Sequence, residues 1–501
     1  MSISLLLEMA VSQDPDRIAV VSDETRYSTT ELSNLADGGA GVIADANVRS
    51  VAYVGMGGSM LPLLLFAAAR AGQPLAPLNY RLSGPGLREL IERLPKPLVV
   101  ADGEYADVLA DVGIDHLDSE EFCAMAGTAA PVTQWPDPDD VAVLLFTSGT
   151  TSRPKAVELS HNNLTSYVTG TVEFASADSN DAALICVPPY HVAGVGAALT
   201  NLYAGRKSVY LPRFDAARWI SLVNAESVTT ATVVPTMLER IISELERHPT
   251  PLPTLQNLAY GGSKVGLPLV RRSLELLPAV GFVNAYGLTE TSSTIAVLTP
   301  EDHRVAHAAA DEKLRKRLGS VGRPVPGVEV VVRGDDGRVL PAGQTGELFV
   351  RGEQVSGKYA GIGSVLDADG WFPTRDLATL DEDGYLFIVG RSDDTIIRGG
   401  ENIAPAEIED VLIEHPQVRA VAVVGAEDPQ WGQIIVAVVV PAPGPPPDTD
   451  ELRKYVRRSL RGSRTPDRVV FREQLPTTPT GKVLRRELVS ELQFVNAEGA
   501  Q

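Results

Sequence analysis

Over the first 290 or so residues, short apolar runs recur between stretches with helical spacing: VAYVGM, MLPLLLFAAARAG and PLAPLN, then LLFTSGTT, LICVPPY, ATVVPT and FVNAYG. Strands that are apolar at every position are covered on both faces, so this alternation predicts an α/β arrangement of layered parallel sheets. The pattern then changes. In the segment from about 320 to 390, VEVVVRGDDGRVLPAGQTGELFVRG alternates branched and polar residues around Asp336-Gly337, and Asp383-Gly384 precedes YLFIVG. Both dipeptides are hairpin signals, and they predict a small antiparallel β-barrel or sheet. After Gly390 a charged, glycine-broken connection leads into a helix with Ile408, Val411 and Leu412 on one face. The rest predicts an α+β unit: strands around VRAVAVVG and QIIVAVVV, the linker PAPGPPP, and a helix opened by Asp448 with Glu451 completing a capping box. The expected domains are 1–391, with 320–390 as its β-rich subdomain, and a smaller 392–501.

A chain of 501 residues exceeds what one hydrophobic core supports, in keeping with more than one domain. Forty-four basic against sixty-four acidic residues leave a formal net charge of −20. That balance argues against broad binding to nucleic acid or anionic membranes, so an anionic ligand needs a local basic site. Cys123 and Cys186 supply neither a disulfide framework nor a metal cluster, and a reducing cytoplasm is the expected location. The apolar run Leu61–Ala69 ends at Arg70, well short of the ~20 residues of a spanning helix, and no secretory pattern precedes it.

After the strand-like VAVLLF comes TSGTTSRPKAV, residues 147–157. Backbone N–H groups and hydroxyls of Thr147, Ser148, Gly149, Thr150 and Thr151 can wrap a polyphosphate, and Lys155 adds a cation. The stretch is not a Walker A loop, which needs G-x-x-x-x-G-K-[ST]. By itself it fits a Ser/Thr-rich surface loop equally well.

Further segments in one order change that balance. TSGTTSRPKAV resembles the phosphate loop, and AYGLTET (285–291) the second nucleotide motif, of the acyl- and aryl-CoA synthetases in the adenylate-forming superfamily. WFPTRDLATLDEDGYLFIVGRSDDTI is similar to that family's aspartate, hinge and arginine region. GGENIAPAEIE resembles the strand and helix beyond the hinge, and LPTTPTGKVLRREL the terminal lysine motif. VPPYHVAG, VPTM, YGGS and GSVGRPVPG fall between them in matching order.

The resemblance implies a two-step reaction: a carboxylate attacks the α-phosphorus of ATP, giving an acyl-adenylate and pyrophosphate, and a thiol then displaces AMP. It assigns Lys482 to bridge acid and α-phosphate, and Glu290, with Thr289 beside it, to hold Mg²⁺ against phosphate oxygens. Asp376 would accept from the ribose hydroxyls with Arg391 near the same sugar, while Tyr286, Gly287 and the Gly261-Gly262-Ser263 backbone would enclose adenine. A small mobile C-terminal domain would swing about Asp393, replacing Lys482 by Gly399 and Gly400, which would line a pantetheine tunnel for coenzyme A. The acid pocket is expected from Tyr190, His191, Gly194, Val234, Met237 and Ala285, with a bulky, mostly apolar carboxylic acid as substrate. Lys454, Arg457, Arg458 and Arg461 fall at i, i+3, i+4, i+7, followed by Arg464 and Arg468. That stripe suits CoA phosphates, an acidic carrier protein, or a plain solvated helix face.

Three positions depart from the family pattern. Ser152 and Ala156 stand where glycines are expected, and Arg375 replaces the glycine of Thr-Gly-Asp. Arg375 can point to solvent, pair with an acid, or lie across the nucleotide. Beside a complete acyl-CoA ligase, alternative readings therefore stay open. These are an enzyme that only passes a preformed acyl-adenylate (supplied by a partner enzyme) to CoA, a carrier-protein ligase, and a silent adenylate-binding protein. A homodimer is compatible with each.

Overall fold

Residues 18–22, 182–185, 207–210, 230–233, 257–261 and 281–288 form the parallel centre of a nine-stranded sheet. Antiparallel strands 25–28 at one edge and 293–298 and 323–324 at the other complete it. Its central Ala182–Ile185 is buried at every position, which is why the sequence there reads as an unbroken apolar run. A second, eight-stranded sheet takes its parallel part from 50–54, 75–77, 97–101, 117–118 and 141–147 and its antiparallel edge from 155–160, 358–359 and 363–364. Helices Thr29–Asp45, Met60–Arg70, His161–Thr171 and Val192–Ala204 lie in the shared core, which draws on Tyr53 and Val143 from one sheet and Leu184 and Val233 from the other. The computed structural model describes residues 1–132, 134–147, 154–428, 430–460, 462–478 and 481–498, without the side chains of 402 and 493–498.

Strands 329–333, 345–351, 372–380 and 386–391 make the predicted antiparallel unit, with both Asp-Gly turns at left-handed glycines. It is an open four-stranded sheet; Leu348, Ala378 and Leu386 pack on Ala296 of the nine-stranded sheet, so the apolar face is covered without barrel closure. Residues after 391 form a separate five-stranded sheet, from 396–398, 401–403, 418–428, 432–441 and 468–471, with two core clusters of their own. Asp448 caps the helix Thr449–Ser459 by accepting from the N–H of Asp450 and Glu451. Lys454, Arg457 and Arg458 are exposed on it, while Arg464 pairs with Glu401 at 2.7 Å; Arg461 lies outside the described residues. No helix among the described residues is long and apolar enough to cross a membrane.

Arg70, which ends the long apolar run, is fully buried and compensated at its terminal nitrogens: it pairs with Asp37 at 3.0 Å and donates to the Ser33 carbonyl at 2.6 Å. His161, 2% exposed, accepts the Ile3 N–H through Nδ1 at 3.3 Å, a role open only to the neutral ring. Burial, aided by the N-terminal amine, lowers its pKa to about 4 against the opposing pull of Asp140. The unfolded chain therefore takes up a proton near pH 6.5 that the folded chain refuses until about pH 4. Stability from this group is complete above the higher value and is lost as pH falls through that window, by up to about 3 kcal/mol. Urea unfolding at neutral pH and near pH 4.5 is expected to show this loss, reduced by about 2 kcal/mol in His161→Gln.

Candidate active site

Four parallel strands of the nine-stranded sheet end together, and their last residues and the segments that follow carry Pro188–His191, Val234–Met237, Gly261–Lys264 and Tyr286–Glu290. Carboxyl ends of parallel strands are where open α/β sheets bind ligands. Here they open into a cleft of about 1980 Å³ whose opposite wall includes Asp376, Arg391, Asp393 and Lys482.

Asp376 is the electrostatic centre. Only 6% exposed, it accepts from Tyr286 Oη at 2.5 Å and from Arg391 Nε at 2.7 Å. Asp376 and Arg391 are direct cross-strand partners. Burial and the neighbouring carboxylate push the Tyr286 phenol well above its ordinary value, so it stays a donor. Burial works against the Arg391 charge, but Asp376 outweighs it and the guanidinium's pKa rises.

A bulge aims this carboxylate. Glu347 pairs with Leu377 and Phe349 with Pro373, so Leu348 alone faces Thr374, Arg375 and Asp376. The extra residues require a left-handed turn, and Arg375 supplies it at φ 63°. Its side chain is 62% exposed and leans toward Glu347, 3.8 Å away; Asp376's bonds go to other groups. Of the three orientations open for Arg375, the protein adopts the outward one with a loose acidic neighbour.

Glu290 accepts from Tyr359 Oη at 2.8 Å, and the Lys155 ammonium sits 5.3 Å from the centre of the same tyrosine ring. Lys155, Thr147, Thr289 and Glu290 all face the cleft. Ala156 occupies a regular strand opposite Phe146, so a side chain there costs the backbone nothing. Ser148, Gly149, Thr150, Thr151 and Ser152 lie outside the described residues. Gly287 is closely confined: a Cβ would stand 1.7 Å from the Ser293 carbonyl oxygen, where strands 281–288 and 293–298 slip register.

Lys482 enters from the C-terminal unit. Its loop abuts Thr236, whose Cγ2 would lie 2.6 Å from a Cβ on Gly481, and a turn holds it: Lys482 N–H donates to Thr478 Oγ1 at 3.0 Å. Crowding by the cleft walls, reinforced by Arg391 and Arg485, lowers the ammonium's pKa despite the attraction of Asp394 and Asp376. Arg485 is itself fixed by Glu409 at 2.5 Å and Asp394 at 3.3 Å. Lys264 meets Asp410 at 2.7 Å and Arg271 meets Glu414 at 3.3 Å across the seam between the units.

Gly399 and Gly400 stand elsewhere. Both left-handed, they turn the hairpin between 396–398 and 401–403, and Gly399 packs on Trp431 away from the cleft lining. Of the expected acid pocket, Tyr190, His191, Val234 and Ala285 line the cleft, as do Gly261, Gly262 and Ser263. Gly194 instead lies under the Pro188 carbonyl, and Met237 is buried against Cys186. Burial, with Arg81 adding to it, lowers the His191 pKa to about 4. Tyr359, Thr236 and Asp394 were not among the predicted residues. Tyr359 stands in a two-residue strand, second from the sheet's edge, that no local periodicity reveals.

The AMP-binding enzyme family model matches residues 7–360, and that of the AMP-binding enzyme C-terminal domain matches 407–482. The chain is 35% identical over 487 residues to a feruloyl-CoA synthase of Amycolatopsis sp, covering 95% of this chain and 96% of that protein. It is 32% identical to the indoleacetate–CoA ligase of Aromatoleum aromaticum, with 99% of both covered. Among solved structures it resembles the o-succinylbenzoate CoA synthetase of Bacillus subtilis in complex with its acyl-adenylate intermediate, at 28% identity and TM-score 0.85, covering 96% of this chain and 97% of that one. With both family models matched in order and relatives aligned end to end, the chain belongs to the AMP-binding, adenylate-forming enzymes.

Proposed function

We propose that the protein is an ATP-dependent acid–thiol ligase that converts a carboxylic acid, through its acyl-adenylate, to the CoA thioester. The observation that carries this reading is the convergence of Lys482 with Asp376, Arg391 and Glu290 on one cleft at the strand ends. In the first step a carboxylate oxygen bonds to the α-phosphorus as pyrophosphate leaves; in the second a thiolate bonds to the carbonyl carbon as AMP leaves. Bringing a carboxylate to a polyphosphate needs cations around the developing charge, and Lys482, Lys155 and Arg391 supply them. Asp376, buried and already oriented by Tyr286 and Arg391, is suited to accept from sugar hydroxyls without reorganisation.

Glu290 offers one carboxylate, held by Tyr359, and this fits Mg²⁺, which typically takes one or two carboxylates along with water and substrate oxygens. When bound, Mg²⁺ would screen phosphate charge. The chain divides at Arg391 with Asp393 as hinge, a reading supported by the separate cores of the C-terminal unit. With Lys482 in the cleft and the Gly399–Gly400 turn outside it, the arrangement suits the adenylation step, and the thioester step then requires the C-terminal unit to turn. The acid is bulky and mostly apolar, and the two free cysteines agree with a reducing cytoplasm. A complete cycle is favoured over thioesterification alone by the seating of Lys482.

Pyrophosphate release with acid, ATP and Mg²⁺, and thioester formation from synthetic acyl-adenylate with CoA, test the two halves; wild-type protein is expected to perform both. Success only in the second assay would reduce the protein to a half-reaction. Lys482→Ala is expected to slow pyrophosphate release by about 10²–10³-fold and thioester formation far less. If the protonated amine acts, kcat/KM for release falls as pH rises through its lowered pKa, below the ordinary lysine value of 10.5. Arg375→Gly is expected to leave the release rate within about threefold. Its stability should stay within about 1 kcal/mol, because relief at φ 63° is offset by a freer unfolded chain. A larger gain in rate would show that the guanidinium obstructs the nucleotide.

A further inference from the structure

The cleft continues beyond the strand ends. One arm runs back between the helix Val192–Ala204 and the face of the nine-stranded sheet, toward the strands' N-terminal ends. Its two walls show the same signature. On the sheet, Thr230, Thr232 and Ala259 keep accessible surface although Ala231, Leu258 and Tyr260 between them are at most 1% exposed. On the helix, Ala193, Ala197 and Thr200 are half-buried at i, i+4, i+7, while Val195, Ala198 and Leu199 are buried. Both open sets line the arm, so small side chains facing each other leave a channel where a layered fold would otherwise be close-packed.

The chemistry of the channel changes along its length. Beyond Ala193 and Ala197 it reaches Thr200, Thr230 and then Arg206, just past the left-handed Gly205 that ends the helix. The Arg206 backbone N–H donates to the Asn201 carbonyl at 2.8 Å, but its half-buried guanidinium makes no hydrogen bond or close ion pair with a described residue. Asp181 acts on it only through space, and burial holds its pKa below the ordinary arginine value. Its neighbour Lys207, by contrast, is paired with Glu226 at 2.8 Å. The 13-residue helix sets the reach, about 20 Å from the cleft to this cation.

We propose that the channel takes the body of the acid substrate and that Arg206 binds an anionic group at its far end, so that the favoured substrates are elongated acids with a second, terminal carboxylate. This rests on the acid-activation reading above and names the substrate class of that site. In a protein of net charge −20 a remote carboxylate needs a local cation, and one entering this channel without a partner would be strongly disfavoured. Conversely, a plain fatty chain would leave the guanidinium half-desolvated and unpaired, so the site discriminates in both directions.

Calorimetric binding of tetradecanedioic and hexadecanedioic acids, long enough for that reach, against tetradecanoic and hexadecanoic acids to the full chain tests the proposal. The diacids are expected to bind about tenfold more tightly or better. Arg206→Met, which keeps the stem and removes the charge, should abolish the ratio, and Arg206→Lys should restore part of it. If Arg206→Met does not fold, Ala197→Phe, which narrows the channel, should weaken binding of both long diacids. A wild-type ratio near one, a ratio that survives in Arg206→Met, or long diacids unaffected by Ala197→Phe would overturn the assignment. Pyrophosphate release is read separately. Arg206-dependent diacid binding without release would sink acid activation alone, and release without diacid preference would sink the distal cation alone.

Discussion

A buried carboxylate must be compensated where it sits, and Asp376 is compensated from two directions at once. Tyr286 reaches it from the nine-stranded sheet, and Arg391 from the last strand before the C-terminal unit. The two sheets and the exit path of the chain are therefore fixed relative to one charge. Tyr286 also belongs to both apolar clusters beneath the small sheet, so the polar tie and the packing support the same geometry. The cleft inherits its shape from this arrangement: its floor is the row of strand ends, and its rim is the strand that carries Asp376.

Much of this was legible in the sequence because it is periodic or local. Continuous apolar runs gave the parallel strands, Asp-Gly pairs marked the hairpins, and the ordered motifs brought Asp376, Arg391, Glu290 and Lys482 into one expected site. What escaped depends on long-range placement. Tyr359 reaches Glu290 only because a two-residue strand adds to the edge of the eight-stranded sheet at Val157. Gly194 and Met237 stand in the right segments, yet helix phase turns one under the Pro188 carbonyl and the other toward Cys186. A string of letters fixes the segment before it fixes which residue of the first turn faces inward.

The departures from the family pattern have different physical weights. Ala156 lies in extended backbone that any residue adopts, and its methyl is simply buried. Arg375 carries a real conformational cost, since left-handed backbone disfavours a side chain by about 1–2 kcal/mol. The bulge needs that turn to present Asp376, so the strain is localised one residue from the group it positions. Its long side chain is mostly exposed at the margin of the cleft, where its charge acts on Tyr359 through space but makes no bond to Asp376.

Across the seam between the two units, Lys264–Asp410 and Arg271–Glu414 are exposed ion pairs, each partner keeping more than a third of its side chain in solvent. Pairs of this kind contribute about 0–1 kcal/mol and weaken as salt screens them. Neither unit gives up part of its own apolar interior when they break. The join behaves as a clasp rather than a weld, and the ionic strength of the surrounding fluid helps decide how long it stays fastened.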